Sequence, residues 1–96
     1  MRHARPEDLD RIDELLAKVR KHSELTERKR GSFYHESVGF LHFHEDPAGM
    51  FADLKVDGEF QRFRVTTRAE QAAFLREVEK ALAPRAAQRR DTRRAE

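Results

Sequence analysis

Ninety-six residues suffice for one domain with a single modest core, and no stretch approaches the roughly 18 apolar residues of a membrane-spanning helix. The chain has no cysteine, which removes disulfides, thiolate metal sites and cysteine nucleophiles together. Hydrophobic residues make up only 38% and charged residues 40%, yet the charges are mixed in sign, so the composition does not imply disorder.

The formal charge is +2 and the sequence pI about 9.3. The location of that charge matters more than its size. Residues 84–96 hold five Arg against Asp91 and Glu96, so this tail carries +3 and the remainder is at −1. Residues 31–65, the central third, net −3. The basicity therefore belongs to an appendage. The N-terminal run MRHARPEDLD lacks an apolar h-region, so nothing in it marks the chain for export and a cytoplasmic location is expected. Arg- and Ala-rich, Lys-poor ends fit a GC-rich bacterial genome.

Residues 6–22 are predicted to form the first helix. Pro6 suits its first position, and Glu7 and Asp8 complement the helix dipole. Leu9, Ile12, Leu16 and Val19, widened by Leu15, form one apolar stripe opposite a charged face. The polar segment 22–31 reads as a connection ending in Gly31, with room for a short turn around Leu25. From Ser32 the hydrophobic period becomes two, and strands are predicted at 32–36, 39–45, 50–56 and 59–65. Residues 46–49 read as a four-residue hairpin loop, and Asp57-Gly58 as a two-residue type I′ turn. Thr67-Arg-Ala-Glu70 is a capping-box pattern opening a second helix, which Pro84 ends. The expected fold is α+β: two helices on one face of a four-stranded antiparallel meander within residues 1–84, followed by a disordered tail at 85–96.

The two hairpins define a register. One face then carries Leu41–Leu54–Gln61, Phe43–Ala52–Phe63 and Glu45–Met50–Val65, an apolar surface for the helices. The other carries Phe40–Lys55–Phe60, His42–Asp53–Arg62 and His44–Phe51–Arg64. Phe33 or Tyr34, with His35, is expected to extend one edge of this second face. A one-residue slip would bury His42 and Asp53 in the core, so the register is strongly specified.

This open face is where function is expected, and several chemistries compete for it. His42 and His44 offer two metal ligands with Asp53 a third and Glu45 or Asp46 nearby, but Arg62 and Arg64 in the same rows oppose a cation. On that balance the sequence assigns neither metal nor cofactor. A His–Asp pair also suits acid–base work, or phosphate chemistry with the two Arg. No Ser or Thr lies in these rows, and a flat sheet is a poor reaction vessel, so an enzyme ranks below a binding protein. Phe40, Phe51 and Phe60 beside Arg62 and Arg64 resemble a stacking platform for RNA. The −3 of the strand segment and the lack of an RNP-like run disfavour nucleic acid, and the basic tail alone would bind it only non-specifically. Three exposed Phe in one patch point instead to a partner, which makes a binding or self-association module the favoured reading, with homodimerisation through this face or its edge.

The run FYHESVGFLHFHEDPAGMFADLKVDGEFQRFRV resembles a family of short uncharacterised bacterial proteins. Phe33-Tyr34-His35, Phe40 to Gly49, Phe51 to Leu54 and Arg62 to Val65 carry the likeness, which covers most of residues 7–83 and implies no activity. The helix–antiparallel sheet–helix order is more loosely similar to frataxin-like domains. Their acidic first helix is not reproduced, so no iron-binding role follows.

Overall fold

Two hairpin turns organise the sheet. At Asp57-Gly58 both residues take positive φ, 51° and 84°, the backbone a type I′ turn requires, and this pairs Val56 with Glu59. The loop at the other hairpin is tighter than the sequence predicts: Asp46 already pairs with Gly49, leaving Pro47-Ala48 as a two-residue connection. The register is the expected one, with Glu45 opposite Met50 and His42 opposite Asp53.

The computed structural model describes residues 1–83; Pro84 and the expected disordered tail at 85–96 lie outside them. Element order is β1 (Arg2–His3), α1 (Pro6–Asp10), α2 (Asp13–Val19), β2 (Leu25–Lys29), β3 (Ser32–His35), β4 (Val38–Asp46), β5 (Gly49–Val56), β6 (Glu59–Arg64) and α3 (Arg68–Ala81). The fold is α+β with an antiparallel sheet. Its order is β2-β3-β4-β5-β6, and β1 pairs with β4 beside β3. Six strands and three helices replace the four and two expected.

Each departure has a local cause. The predicted first helix breaks at Arg11-Ile12, whose N–H groups bond back three residues to Asp8 and Leu9 carbonyls. Arg30 spans the break, reaching the Pro6 carbonyl at 3.1 Å and the carboxylates of Asp10 and Asp13. The apolar stripe survives it, because Leu9, Ile12, Leu15, Leu16 and Val19 are all buried. The segment expected to be a connection contains β2, held through Glu27, which accepts from Arg20 at 2.7 and 3.0 Å and from the Gly31 amide at 2.9 Å. Gly31 is required there twice over: its φ is 81°, and a Cβ would press on Leu9. β1 is anchored by Arg2, which pairs with Asp8 at 2.9 Å and Glu45 at 3.2 Å.

The face formed by the odd-numbered residues of β4 and β6 and the even-numbered residues of β5, the odd face for short, carries the core. Leu41, Phe43, Met50, Ala52 and Leu54 are buried, and Phe74 of α3 packs on Phe43 and Phe63 with ring centroids 6.4 and 5.6 Å apart. The predicted capping box opens α3: Thr67 Oγ1 accepts from the Glu70 amide at 3.1 Å, and Glu70 accepts from the Thr67 amide at 2.9 Å. No helix among the described residues is long and apolar enough to cross a membrane.

Candidate functional site

The opposite face, even-numbered in β4 and β6 and odd-numbered in β5 and called the even face, brings His42, His44, Asp53 and Arg62 together, as the register requires. Asp53 is only 8% exposed although no helix covers it. Burying a carboxylate is unfavourable unless it is paired and hydrogen-bonded. Arg62 supplies that pairing as a fork, Nε to Oδ1 at 2.8 Å and Nη2 to Oδ2 at 2.9 Å. The two imidazoles close on the same carboxylate from the β4 side: His44 Nε2 lies 3.0 Å and His42 Nε2 3.4 Å from Oδ2. Among the described residues, these three ligand atoms are the group placed to share a metal ion.

His44 is the most constrained member. It is 9% exposed, and its Nε2 makes no hydrogen bond despite its closeness to Asp53. At 3.0 Å the nitrogen stands at ion-pair distance from the carboxylate without the alignment of a hydrogen bond. His42 is half-buried, edge-on to the rings of His44 and Phe60 with centroids 5.0 Å away in each case. Burial first, then the proximity of His44, His3 and Arg62, holds its pKa below the ordinary histidine value against the opposing pull of Asp53. The His42 imidazole is therefore neutral at pH 7, with a lone pair to share. Burial alone would raise the Asp53 pKa; the Arg62 hydrogen bonds and the neighbouring His44, Arg62 and His42 outweigh it and hold the carboxyl below its usual value.

The remaining predicted residues divide. Arg64 does not crowd the cluster. Its Nε sits 3.2 Å from Glu70 at the α3 cap, and its guanidinium lies 5.7 Å from the centre of the half-buried Phe51 ring. Lys55 stacks on one Phe, Phe60, at 5.2 Å, where two were expected. Phe40 is the clear correction. It is 5% exposed at a bulge between β3 and β4, edge-on to His35 at 5.7 Å, so the face does not present three open Phe rings. Phe60, 45% exposed, remains the open one. Phe33 goes into the core, and Tyr34 lies under Arg28 at 4.4 Å. Glu45 and Asp46, expected near the cluster, are engaged elsewhere, Glu45 by Arg2 and Asp46 by the Met1 ammonium at 3.3 Å.

One member went unread in the sequence. His3, in β1, pairs opposite His44 and places its ring 4.7 Å from that of His44 and 6.1 Å from that of His42. A His two residues from a predicted cap carries no periodic signal, and a two-residue strand cannot be found from pattern. β1 and β3 share one edge of β4, and His3 lines a groove of about 230 Å³ between them. The sheet is thus less flat at its histidines than its sequence implies. No family model, curated protein or solved structure matches the chain.

Proposed function

We propose that this domain is a metal-binding module whose site for a divalent transition-metal ion consists of His42, His44 and Asp53. The observation that carries this reading is the convergence of three ligand atoms, from His42, His44 and Asp53, all within 4.8 Å of one another, with His44 Nε2 buried and 3.0 Å from the carboxylate. Ligand atoms held at about 2.0–2.1 Å around a tetrahedral ion stand roughly 3.3 Å from one another. The separations of 3.0 and 3.4 Å from Asp53 Oδ2 to the two imidazoles match that spacing. Two imidazoles and a carboxylate suit Zn²⁺, Ni²⁺ or Co²⁺ better than Ca²⁺ or Mg²⁺, which prefer all-oxygen shells.

The cationic neighbours, which counted against a metal on sequence grounds, weigh less in three dimensions. Arg64 is turned towards Glu70, and Arg62 is half exposed, so water screens its charge. A carboxylate has about four acceptor positions. Arg62 occupies two, and in this reading orients the carboxylate behind the ion, the role outer hydrogen-bond partners serve in metal sites. Catalysis by this cluster has less support, since no hydroxyl or thiol nucleophile stands against the histidines in these rows.

The test is thermal melting of the metal-free protein with Zn²⁺, Ni²⁺ or Co²⁺. A ligand at one hundred times its Kd adds about 2.7 kcal/mol, which raises the Tm of a domain this size by roughly 10 °C or more. His42→Ala should abolish most of that gain. A Tm indifferent to all three ions would end the metal reading.

A second reading, self-association, keeps one specific observation: among the described residues the outer strand β6 has no strand beside it on one side, and it carries exposed Phe60. Light scattering over a hundredfold concentration range tests it, and a constant monomer mass removes it.

A further inference from the structure

We infer that His3 is a fourth ligand to the same ion, so that metal binding and the docking of strand β1 are one event. This rests on the metal reading above, and adds to it a ligand from a different part of the chain.

The argument is geometric. An imidazole bound at about 2.0–2.1 Å has its ring centre roughly 3.2 Å from the metal, so two imidazoles on a tetrahedral ion have centres about 5.2 Å apart. His42 and His44 stand at 5.0 Å, and His3 and His44 at 4.7 Å. The third side of the triangle, His3 to His42, is 6.1 Å, about 1 Å long. His3 has the freedom to close that gap. Its side chain is exposed, and grooves of about 230 and 100 Å³ flank it, with His42 lining both. Exposed rotamers interconvert in picoseconds to nanoseconds, so the ring is free to reorient. With His3 in place the set becomes three imidazoles and one carboxylate, four protein ligands that would close a tetrahedron around the ion.

The strand that delivers His3 is short of other support. β1 makes two register pairs with β4, one further amide bond from Ala4 to the Phe43 carbonyl at 3.1 Å, the Arg2 ion pairs and the flanking pair of Met1 with Asp46. A metal bond to His3 would therefore tie down the least secured part of the sheet. It would also fix one wall of the groove between β1 and β3.

Cobalt distinguishes the outcomes, because the visible spectrum of Co²⁺ changes with its coordination number and with the donors around it. Metal-free wild-type protein and His3→Ala, both without affinity tags, would be titrated with Co²⁺ and then Zn²⁺, while amide exchange at Ala4 is followed. The wild type should give an intense blue complex and slow Ala4 exchange on metal addition. His3→Ala should still bind, at least about tenfold more weakly, the smallest cost of losing even an outer partner of a metal site. Its complex, with water in place of the imidazole, should have a different visible spectrum, and its Ala4 exchange should be unaffected by metal. Equal affinity and an equal spectrum in His3→Ala would overturn the fourth ligand while leaving the three-residue site intact. No binding by the wild type would overturn both.

Discussion

The two faces of β4, β5 and β6 share one backbone and solve opposite problems. On the odd face Leu41, Phe43, Ala52 and Leu54 are buried because helices and their rings lie over them. On the even face Asp53 and His44 are nearly as buried with no helix above, enclosed by each other, Arg62, His42 and His3. The first kind of burial lowers free energy through apolar surface removed from water, about 25 cal/mol for each Å². The second raises it unless every polar group finds a partner. The odd face thus explains why the chain folds. The even face needs a reason of its own, and a ligand is the simplest one.

Substitutions on the two faces should separate these roles. The largest effect is expected on the odd face: Leu54→Ala, at a position with no solvent exposure, should cost about 2–5 kcal/mol in urea unfolding. Its metal response, measured wherever the protein still folds, should persist. A loss below about 1 kcal/mol would mean that the helices do not pack as described. Asp53→Asn comes next. It should cost about 1–2 kcal/mol in metal-free protein, since Arg62 can turn to solvent once its partner is gone, and it should remove the metal-dependent rise in Tm. If Asp53→Asn kept that rise in full, the even face would not be the metal site.

Acid provides a graded comparison. Asp8, Glu27 and Glu70 each have a pKa held below the usual carboxylate value. The chief causes are the Arg5 amide for Asp8, Arg20 for Glu27 and the Thr67 amide for Glu70. A carboxylate with a folded pKa below its unfolded one adds stability above the unfolded value, and that stability is lost as pH falls through the folded value. The urea midpoint should therefore decline from about pH 4 downwards. His42, depressed mainly by burial, adds an earlier decline starting near pH 6.5, because the unfolded chain takes up that proton first. His42→Ala should erase the earlier step alone, and a midpoint flat from pH 7 to pH 3 would contradict both.

The smallest effect belongs to neither face. Glu36 and Ser37 turn β3 into β4 with φ of 51° and 68°, a conformation costly for residues other than Gly and Asn. Replacing the pair by Asn-Gly should stabilise the domain by about 0.5–1 kcal/mol, read as a rise in Tm of a few degrees with the metal response unchanged. Any destabilisation would argue that the turn is not of the I′ kind.

How far the sequence could be read follows the same division. The rows across β4–β6 were legible because Asp57-Gly58 admits essentially one turn and one register, and the alternation of Leu, Phe and Ala with His, Asp and Arg then assigns both faces. The helix cap at Thr67 was legible for a similar local reason. β2 was not, because Leu25-Thr26-Glu27-Arg28-Lys29 has a single apolar residue and its strand depends on the distant Arg20. The bulge that buries Phe40 and the two-residue strand that carries His3 are likewise products of tertiary contact. What the sequence missed about the site is therefore its depth and its third histidine, both of which come from elements too short to have a period.

The position of β1 has a practical consequence for how the molecule is handled. Any extension added ahead of Met1 would begin beside Asp46, a few residues from His3 and the cluster on β4. A polyhistidine purification handle at that end would bring its own metal-binding imidazoles beside His3, His42 and His44 and would confound any metal titration of the cluster. The two termini are not equivalent for attachment, and labels or immobilisation chemistry belong beyond α3.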